Sequence, residues 1–239
     1  MESGIDGSRS LDLSAVKAAD AAHLPESIRS WEDEFREAMM MYSCAIREVK
    51  TKLEVLNDEL SVRNRRNPIE LIKWRVKKPQ SIADKLMRRG FPVSLRSMME
   101  NLDDVAGVRV ICSFMDDIYD VADMIMRQDD LRVIRIKDYI RHPKDNGYRS
   151  YHIIVEVPVF FSNQKRYMRV EIQIRTMAMD FWASMDHELK YKKEIEDADE
   201  ISRELRECAE IISSTDEKML AIRRRIETQS GKRTSGFIL

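Results

Sequence analysis

The segment from Arg75 to Lys85 places basic side chains where a strand pattern changes to a helix pattern. Arg75 and Lys77 fall on one face of the predicted strand, and a helix beginning near Ser81 would offer free backbone N–H groups and a partial positive charge beside them. Lys85 follows Ser81 by about one helical turn, so its ammonium group could reach the same anion. The segment therefore predicts a polyphosphate cradle; the alternative is a solvated basic edge with a helix cap.

Two acidic residues, Asp103 and Asp104, lead into an apolar strand that contains Arg109. Mg²⁺ binds hard oxygen ligands, and one or two carboxylates together with substrate phosphates are enough to hold it. Asp104 is therefore a candidate Mg²⁺ ligand, although Asp before a strand is also an ordinary turn residue. Arg109 is predicted to face a ligand or an ion-pair partner, because an unpaired guanidinium group is costly to bury. Its planar group could also stack on a nucleotide base.

A predicted loop between two strands, residues 137–152, combines basic and aromatic side chains. Aromatic rings can stack on a base while Lys and Arg side chains pair with phosphates, as in sites for single-stranded nucleotides. The alternative is an Asn-Gly turn with surface charges. The candidate binding residues in this loop are Lys137, Lys144, Asn146, Tyr148 and His152.

Strict alternation along a later segment places Glu171, Gln173 and Arg175 on one face of a strand whose other face is apolar. A polar strand face in a sheet otherwise covered by helices indicates the floor of a binding site. Glu171 could hold Mg²⁺ or accept the proton of an attacking hydroxyl group. An edge strand with a solvated face would produce the same pattern.

These residues require a sheet to bring them together, and the chain pattern provides one. Alternation with a period of two predicts about five strands, near residues 72–76, 108–112, 131–137, 151–157 and 168–175. Helical periodicity appears between some strands and in long flanks at both ends. The fold class is therefore α/β (α+β), with one mixed, about five-stranded sheet covered by helices.

A further helix is predicted from Met179 onward. Its spacing predicts that Phe181, Trp182, Met185 and Leu189 pack in the core, with His187 as a structural neighbour of the site rather than a catalyst.

The domain organisation follows from these elements. Residues 25–227 are predicted to form a single domain, with an N-terminal helix over 30–64, a catalytic core over 67–192 and C-terminal helices over 199–227. Residues 1–24 are expected to be a poorly ordered leader and 228–239 a loose tail.

Composition excludes several classes of protein. The 239 residues contain 41 Lys and Arg against 42 Asp and Glu, which removes the case for a generally basic, nucleic-acid-coating protein. Three widely spaced cysteines give neither a disulfide framework nor a zinc motif. No apolar run approaches the roughly 18 residues of a membrane span. A cytoplasmic protein without a membrane partner is expected.

Taken together and in this order, the four motifs resemble the synthetase domain of the RelA/SpoT family, and specifically its small alarmone synthetases, over about Asn67 to Lys192. The resemblance implies a nucleotidyltransferase-like synthetase fold and a (p)ppGpp synthetase that transfers pyrophosphate from ATP to the 3′-hydroxyl of GDP or GTP and releases AMP. It implies Asp104 and Glu171 as catalytic and Mg²⁺-binding carboxylates. It implies ATP contacts from Arg75, Lys77, Ser81, Lys85 and Arg109, and guanosine-nucleotide contacts from Lys137, Lys144, Asn146, Tyr148, His152, Gln173 and Arg175.

Resemblance to the small members also implies a homotetramer formed through the terminal helices, with a guanosine nucleotide or an RNA as an allosteric ligand. The apolar stripe on residues 31–53 is compatible with such contacts, but it could equally pack on its own sheet. None of the four histidines precedes an Asp, so the His-Asp pair of the family's hydrolase is not present and synthesis without hydrolysis is expected.

Two rival functions remain open at this point. The first is a nucleotidyltransferase that modifies RNA or protein, although such enzymes usually show a Gly-Ser followed by paired Asp residues on one strand, and that arrangement is not found. The second is a non-catalytic RNA-binding module that uses the loop at 137–152.

Overall fold

The structure is a computed structural model and describes residues 26–63, 66–190 and 197–234. Within these ranges the chain forms six helices and five strands. The helices are α1 (Glu26–Arg63), α2 (Pro79–Arg88), α3 (Leu95–Asn101), α4 (Met115–Met126), α5 (Met177–Lys190) and α6 (Ala198–Thr234). The strands are β1 (Ile69–Val76), β2 (Ala106–Cys112), β3 (Arg132–Asp138), β4 (Tyr151–Phe160) and β5 (Lys165–Thr176).

The strands form a single mixed sheet in the order β1-β2-β5-β4-β3. Strand β2 pairs with β5 in parallel, and the other three neighbouring pairs are antiparallel. The predicted α+β class with one mixed, five-stranded sheet is therefore confirmed. The central strand β5 carries the polar series that begins at Glu171, so this series lies in the middle of the sheet and the edge-strand alternative is wrong.

One face of the sheet packs against helices because its side chains are apolar. Val110, Ile172 and Ile153 belong to the same buried cluster as Ile46 and Leu53 of α1. Full burial of an aliphatic side chain of this size contributes about 1.5–3 kcal/mol, so this layer holds α1 on the sheet. The apolar stripe of α1 is thus used within its own chain, as the second of the two readings of residues 31–53 predicted.

Several element bounds differ from the predictions. Helix α1 begins at Glu26 and α6 is one continuous helix to Thr234, so α6 extends into residues 228–234 of the predicted tail. The short α3 was not predicted; Ser94 caps it by accepting a hydrogen bond from the backbone N–H of Ser97. The predicted leader 1–24 and residues 235–239 lie outside the described ranges.

Helix α5 exists as predicted, but its apolar residues divide differently between core and surface. Trp182 is buried and donates its indole N–H to the Leu205 carbonyl of α6 at 2.8 Å. Phe181, Met185 and Leu189 are exposed, so their predicted place in the core is wrong. Among the helices of the described ranges, none has the length and apolar character needed to cross a membrane.

Candidate active site

The sheet face opposite α1 carries a row of polar side chains that crosses all five strands. Lys73 on β1 pairs with Arg109 on β2, and Arg109 pairs with Gln173 on β5. Gln173 in turn pairs with His152 on β4, which pairs with Lys137 on β3. Residues two positions apart share a face, so Arg75, Glu171 and Arg175 project from this face as well.

This polar face is the floor of a cleft of about 1080 Å³. Two predicted site residues, Lys77 and Asn146, do not line it. The twelve that do are Arg75, Ser81, Lys85, Asp104, Arg109, Lys137, Lys144, Tyr148, His152, Glu171, Gln173 and Arg175. The basic segment from Arg75 to Lys85, the loop over residues 137–152 (the tyrosine loop) and the polar face of β5 thus meet in one cavity.

At one end of the cleft, two lysines converge on Asp104. Lys85 Nζ lies 2.6 Å and Lys77 Nζ 2.8 Å from the same oxygen, Oδ2. Burial alone would raise the pKa of Asp104, but the hydrogen bonds from the two lysines outweigh it and lower the pKa to about 2. Asp104 is therefore ionised, while Lys77 supports this carboxylate instead of facing the cleft.

Helix α2 begins beside this carboxylate. Pro79 occupies the start of the helix, where a missing N–H costs nothing, and no side chain caps the free N–H groups of the first turn. Ser81 lies in that turn and lines the cleft. The N-terminus of α2 together with Lys85 gives the positive potential and the donors that an anion requires.

In the centre of the cleft, five side chains form a closed ring of hydrogen bonds. Arg175 donates through one terminal nitrogen to the Gln173 carbonyl oxygen and to the Tyr148 hydroxyl, each at 2.6 Å. Gln173 donates to Glu171 Oε2 at 2.8 Å. Tyr148 O and His152 Nε2 are 2.9 Å apart, and His152 Nδ1 lies 3.1 Å from Glu171 Oε1. Two chains of donors therefore run from Arg175 to Glu171.

The charges in this ring fix the direction of its hydrogen bonds. Burial raises the pKa of Glu171, but the hydrogen bond from His152, together with the charge that His152 carries once it is protonated at low pH, outweighs this effect and lowers the pKa to about 2. Burial lowers the pKa of His152 despite the opposing effect of Glu171. Because the ionised Glu171 can only accept, neutral His152 donates through Nδ1 and accepts the Tyr148 hydroxyl proton at Nε2.

The loop between β3 and β4 brings three rings together. Tyr139 and Tyr148 lie with centroids 6.0 Å apart, and both meet the His152 ring edge-on. Lys144 Nζ lies 4.6 Å from the Tyr148 centroid and 4.8 Å from that of Tyr139. A base stacking on that face of Tyr148 would replace the ammonium group, which would then be free to meet a phosphate.

The conformation of this loop depends on Asn146 and Gly147. Asn146 Oδ1 accepts from the backbone N–H of Tyr148, and its amide donates to Asp186 at 3.4 Å, so Asn146 shapes the loop from outside the cleft lining. Gly147 has φ +86°, and a Cβ atom there would lie 2.6 Å from Cβ of Ala209 on α6. Helix α6 thus supports the loop from behind.

Sequence reasoning missed Asp180, a buried residue in the first turn of α5. Its Oδ1 accepts from Arg109 at 2.9 Å and from Arg175 at 3.3 Å, and Lys73 Nζ lies 3.5 Å from its Oδ2. Arg109 was predicted to face a ligand or an ion-pair partner, and Asp180 is an ion-pair partner of Arg109. The sequence signal that could have identified Asp180 is an acidic residue among Met, Phe and Trp, directly after the polar strand.

The cleft has the groups that a Mg²⁺ ion bound to phosphates requires. Oδ1 of Asp104 is buried and accepts no hydrogen bond, which leaves an oxygen ligand available. Glu171 is close enough for the charge of Asp104 to raise its pKa. The described residues contain no cluster of three or more His, Cys, Asp or Glu that would hold a metal alone, so the ion would depend on substrate phosphates for further ligands.

Comparisons with known proteins agree with this geometry. Residues 74–196 match the family described as "Region found in RelA / SpoT proteins". GTP pyrophosphokinase YwaC of Bacillus subtilis is 42% identical over 217 residues, which cover 91% of this chain and 100% of YwaC.

Two crystal structures of small alarmone synthetase 1 from B. subtilis also match. The form bound to its product pppGpp has a TM-score of 0.75 and 34% identity, covering 82% of this chain and 99% of that one. The form bound to AMPCPP has a TM-score of 0.68 and 32% identity, covering 81% and 99%.

The family match includes every strand of the cleft except the beginning of β1, and the similarity to GTP pyrophosphokinases extends over most of the chain. The activity is that of a GTP pyrophosphokinase, and the resemblance to the small alarmone synthetases is confirmed. The chain belongs to the RelA/SpoT family.

Proposed function

We propose that this GTP pyrophosphokinase binds ATP at the α2 end of the cleft and GDP or GTP at the tyrosine loop, with the reacting groups meeting over Glu171. The observation that carries the proposal is the position of Glu171. It lies on the central strand and lines the same cavity as Lys85 on one side and Tyr148 on the other. A small alarmone synthetase that binds both AMPCPP and pppGpp supports this pair of substrates.

The ATP phosphates would meet Ser81, Lys85 and the N-terminus of α2, with Lys77 holding Asp104 in place. Arg75 and Arg109 lie on neighbouring strands and both line the cleft, so their guanidinium groups could enclose the adenine. A single face of the sheet would then bind both ends of ATP.

The guanine base would stack on Tyr148 after replacing Lys144, and Lys137, Lys144 and His152 would face its phosphates and ribose. Asn146 would act by shaping the loop, and Gln173 and Arg175 by holding the ring of hydrogen bonds below the nucleotide. Two polyphosphates repel each other strongly, so this concentration of cations is needed before any reaction.

The reaction forms a bond between the guanosine 3′-oxygen and the β-phosphorus of ATP and breaks the bond from that phosphorus to the oxygen bridging to the α-phosphorus. AMP leaves with that oxygen. Mg²⁺, held by Asp104 and Glu171, would neutralise charge on the transferring phosphates. The 3′-hydroxyl would donate its hydrogen bond to Glu171. Glu171 is ionised and can accept this hydrogen bond, so it would take the proton as the new bond forms and pass it to water.

The test is incubation of the protein with labelled ATP and GDP. AMP release together with a pyrophosphorylated guanosine is expected. Labelling of RNA or protein would favour the nucleotidyltransferase reading, and binding without any release of AMP would favour the RNA-binding module.

A homotetramer also stays a prediction, and it would require surfaces other than the buried stripe of α1. Helix α5 offers one, because Met177, Phe181, Met185 and Leu189 are exposed at intervals of one turn. Light scattering on a sizing column would measure the assembly, and repeating it with a guanosine nucleotide or RNA would test for an allosteric ligand.

A further inference from the structure

We infer that Asp180 is a positioning residue that sets the relative placement of the two arginines, Arg109 and Arg175, which serve the two nucleotides. The inference rests on the proposed placement of ATP and the guanosine nucleotide in the cleft. Asp180 itself does not line the cleft, so it would act through the arginines.

The geometry ties both arginines to a single atom. Arg109 donates to Asp180 Oδ1 at 2.9 Å from β2, and Arg175 donates to the same oxygen at 3.3 Å from β5. Lys73 of β1 lies 3.5 Å from the other oxygen. Because two guanidinium groups share one acceptor, a movement of that acceptor would displace both.

Burial makes this pairing strong. The Arg175 side chain is 3% exposed and that of Asp180 is 12% exposed, so water screens their charges poorly. Burial lowers the pKa of Arg175, and the charge of Asp180 opposes this effect. Without Asp180, the Arg175 charge would have to find another partner, and its guanidinium would be expected to move.

A displaced Arg175 would affect the rest of the site. Its other terminal nitrogen donates to both Tyr148 and Gln173, which start the two hydrogen-bond chains that end at Glu171. Asp180 therefore contributes to the guanine-stacking ring and to the reacting centre as well as to the ATP side through Arg109.

Asp180 is held in place independently of the arginines. It lies in the first turn of α5, where the helix dipole favours a carboxylate. The hydroxyl group of Thr176 accepts the Met179 N–H at the start of that helix and donates to Asp216 of α6 at 2.6 Å. The start of α5 is thereby fixed to α6, which gives Asp180 a rigid base.

The test compares Asp180→Asn and Asp180→Glu with a matched control, Glu188→Gln. Glu188 is exposed on the same helix, so the control removes the same charge without touching the arginines. Calorimetry would measure the affinity for AMPCPP and for GDP separately, with no turnover required. Circular dichroism would establish that each variant is folded.

For Asp180→Asn we expect both affinities to fall about tenfold or more, because each arginine loses a charge-assisted hydrogen bond. Asp180→Glu keeps the charge but moves it, so it should fold normally and weaken both nucleotides by a smaller factor. The control should bind both as the wild type does. Arg109→Ala should weaken AMPCPP far more than GDP, which shows that the two ligands can be separated.

The inference is overturned if a folded Asp180 variant weakens only one nucleotide or neither, or if Glu188→Gln has the same effect. If Asp180→Asn does not fold, Asp180→Glu decides by the same criterion. Wild-type protein that binds both nucleotides but releases no AMP would contradict the proposed function and leave this comparison intact. Wild-type protein that binds neither would overturn both.

Discussion

The Nζ atom of Lys85 lies 2.6 Å from Oδ2 of Asp104, and this contact joins helix α2 to the segment just before strand β2. The lysines occupy one oxygen of Asp104 and leave Oδ1 buried without a partner. Oδ2 therefore orients Lys85, while Oδ1 is left for the Mg²⁺ ion proposed above.

Replacing Asp104 with Asn should raise the Mg²⁺ concentration needed for half-maximal activity by about tenfold or more, because a charged ligand becomes a neutral one. The KM for ATP should also rise, since Lys77 and Lys85 lose the carboxylate that holds them. AMP release as a function of Mg²⁺ concentration measures the Mg²⁺ requirement, and AMP release as a function of ATP concentration measures the KM for ATP.

The matched control for this variant is Asp103→Asn. Asp103 is the adjacent residue, but its carboxylate faces Arg169 at 3.2 Å and Arg135 at 3.6 Å. Asp103→Asn should leave the Mg²⁺ concentration for half-maximal activity unchanged. An equal shift in both variants would mean that net charge, rather than a metal ligand, is responsible.

Glu171→Gln should retain binding of each nucleotide and lose synthesis by about 10²-fold or more. The substitution keeps the size of the side chain, but its amide nitrogen cannot accept a hydrogen bond from the 3′-hydroxyl or bind Mg²⁺. Calorimetry with AMPCPP and GDP measures binding, and AMP release measures turnover. Turnover comparable to that of the wild type would refute the role of Glu171.

His152 should titrate below the ordinary histidine pKa of about 6.5, because burial disfavours its charged form. The unfolded chain then binds more protons in this range. The stability due to neutral His152 is therefore full above about pH 6.5 and falls as the pH decreases toward the pKa of His152 in the folded protein.

Glu171 raises the pKa of His152, so Glu171→Gln should lower the pKa of His152 further. Ring proton signals in an NMR titration measure this directly, and a His152 pKa above 6.5 would contradict the assigned burial and tautomer.

The sequence was sufficient to place the cleft residues on their local elements. Alternation along residues 171–175 identified the polar face of β5, and the change of period at Pro79 identified the start of α2. These signals are local: they depend on a two-residue or a 3.6-residue repeat, which short segments retain. Both carboxylates and most of the predicted binding residues accordingly line one cavity.

The rest depended on contacts between distant segments. No local pattern sets the strand order β1-β2-β5-β4-β3. This order brings Arg109 of β2 into contact with Asp180, which lies 71 residues later in the chain. Lys77 shares the predicted face with Arg75, but β1 ends at Val76 and the lysine turns to Asp104. Phe181 was assigned to the core because helical spacing shows which residues share a face but not which face is covered.

The close packing of Gly147 against α6 gives a prediction about the guanosine side alone. Gly147→Ala must adopt φ +86° with a Cβ atom 2.6 Å from Cβ of Ala209. The backbone strain costs about 1–2 kcal/mol, and the overpacking a further 1–3 kcal/mol. The loop should move away from α6 and displace Tyr148, so the KM for GDP should rise several-fold while the KM for ATP changes little.

Gly90 supplies the matched control, because it has φ +75° and nothing within 4 Å of an added Cβ atom. Gly90→Ala should therefore show the strain alone, with a loss of stability of about 1–2 kcal/mol in urea unfolding. Adding Ala209→Gly to Gly147→Ala removes the contact but not the strain, so it should restore most of the affinity for GDP and only part of the stability. If Gly147→Ala lowers stability no more than Gly90→Ala and leaves the KM for GDP unchanged, α6 does not support the loop in the way the structure indicates.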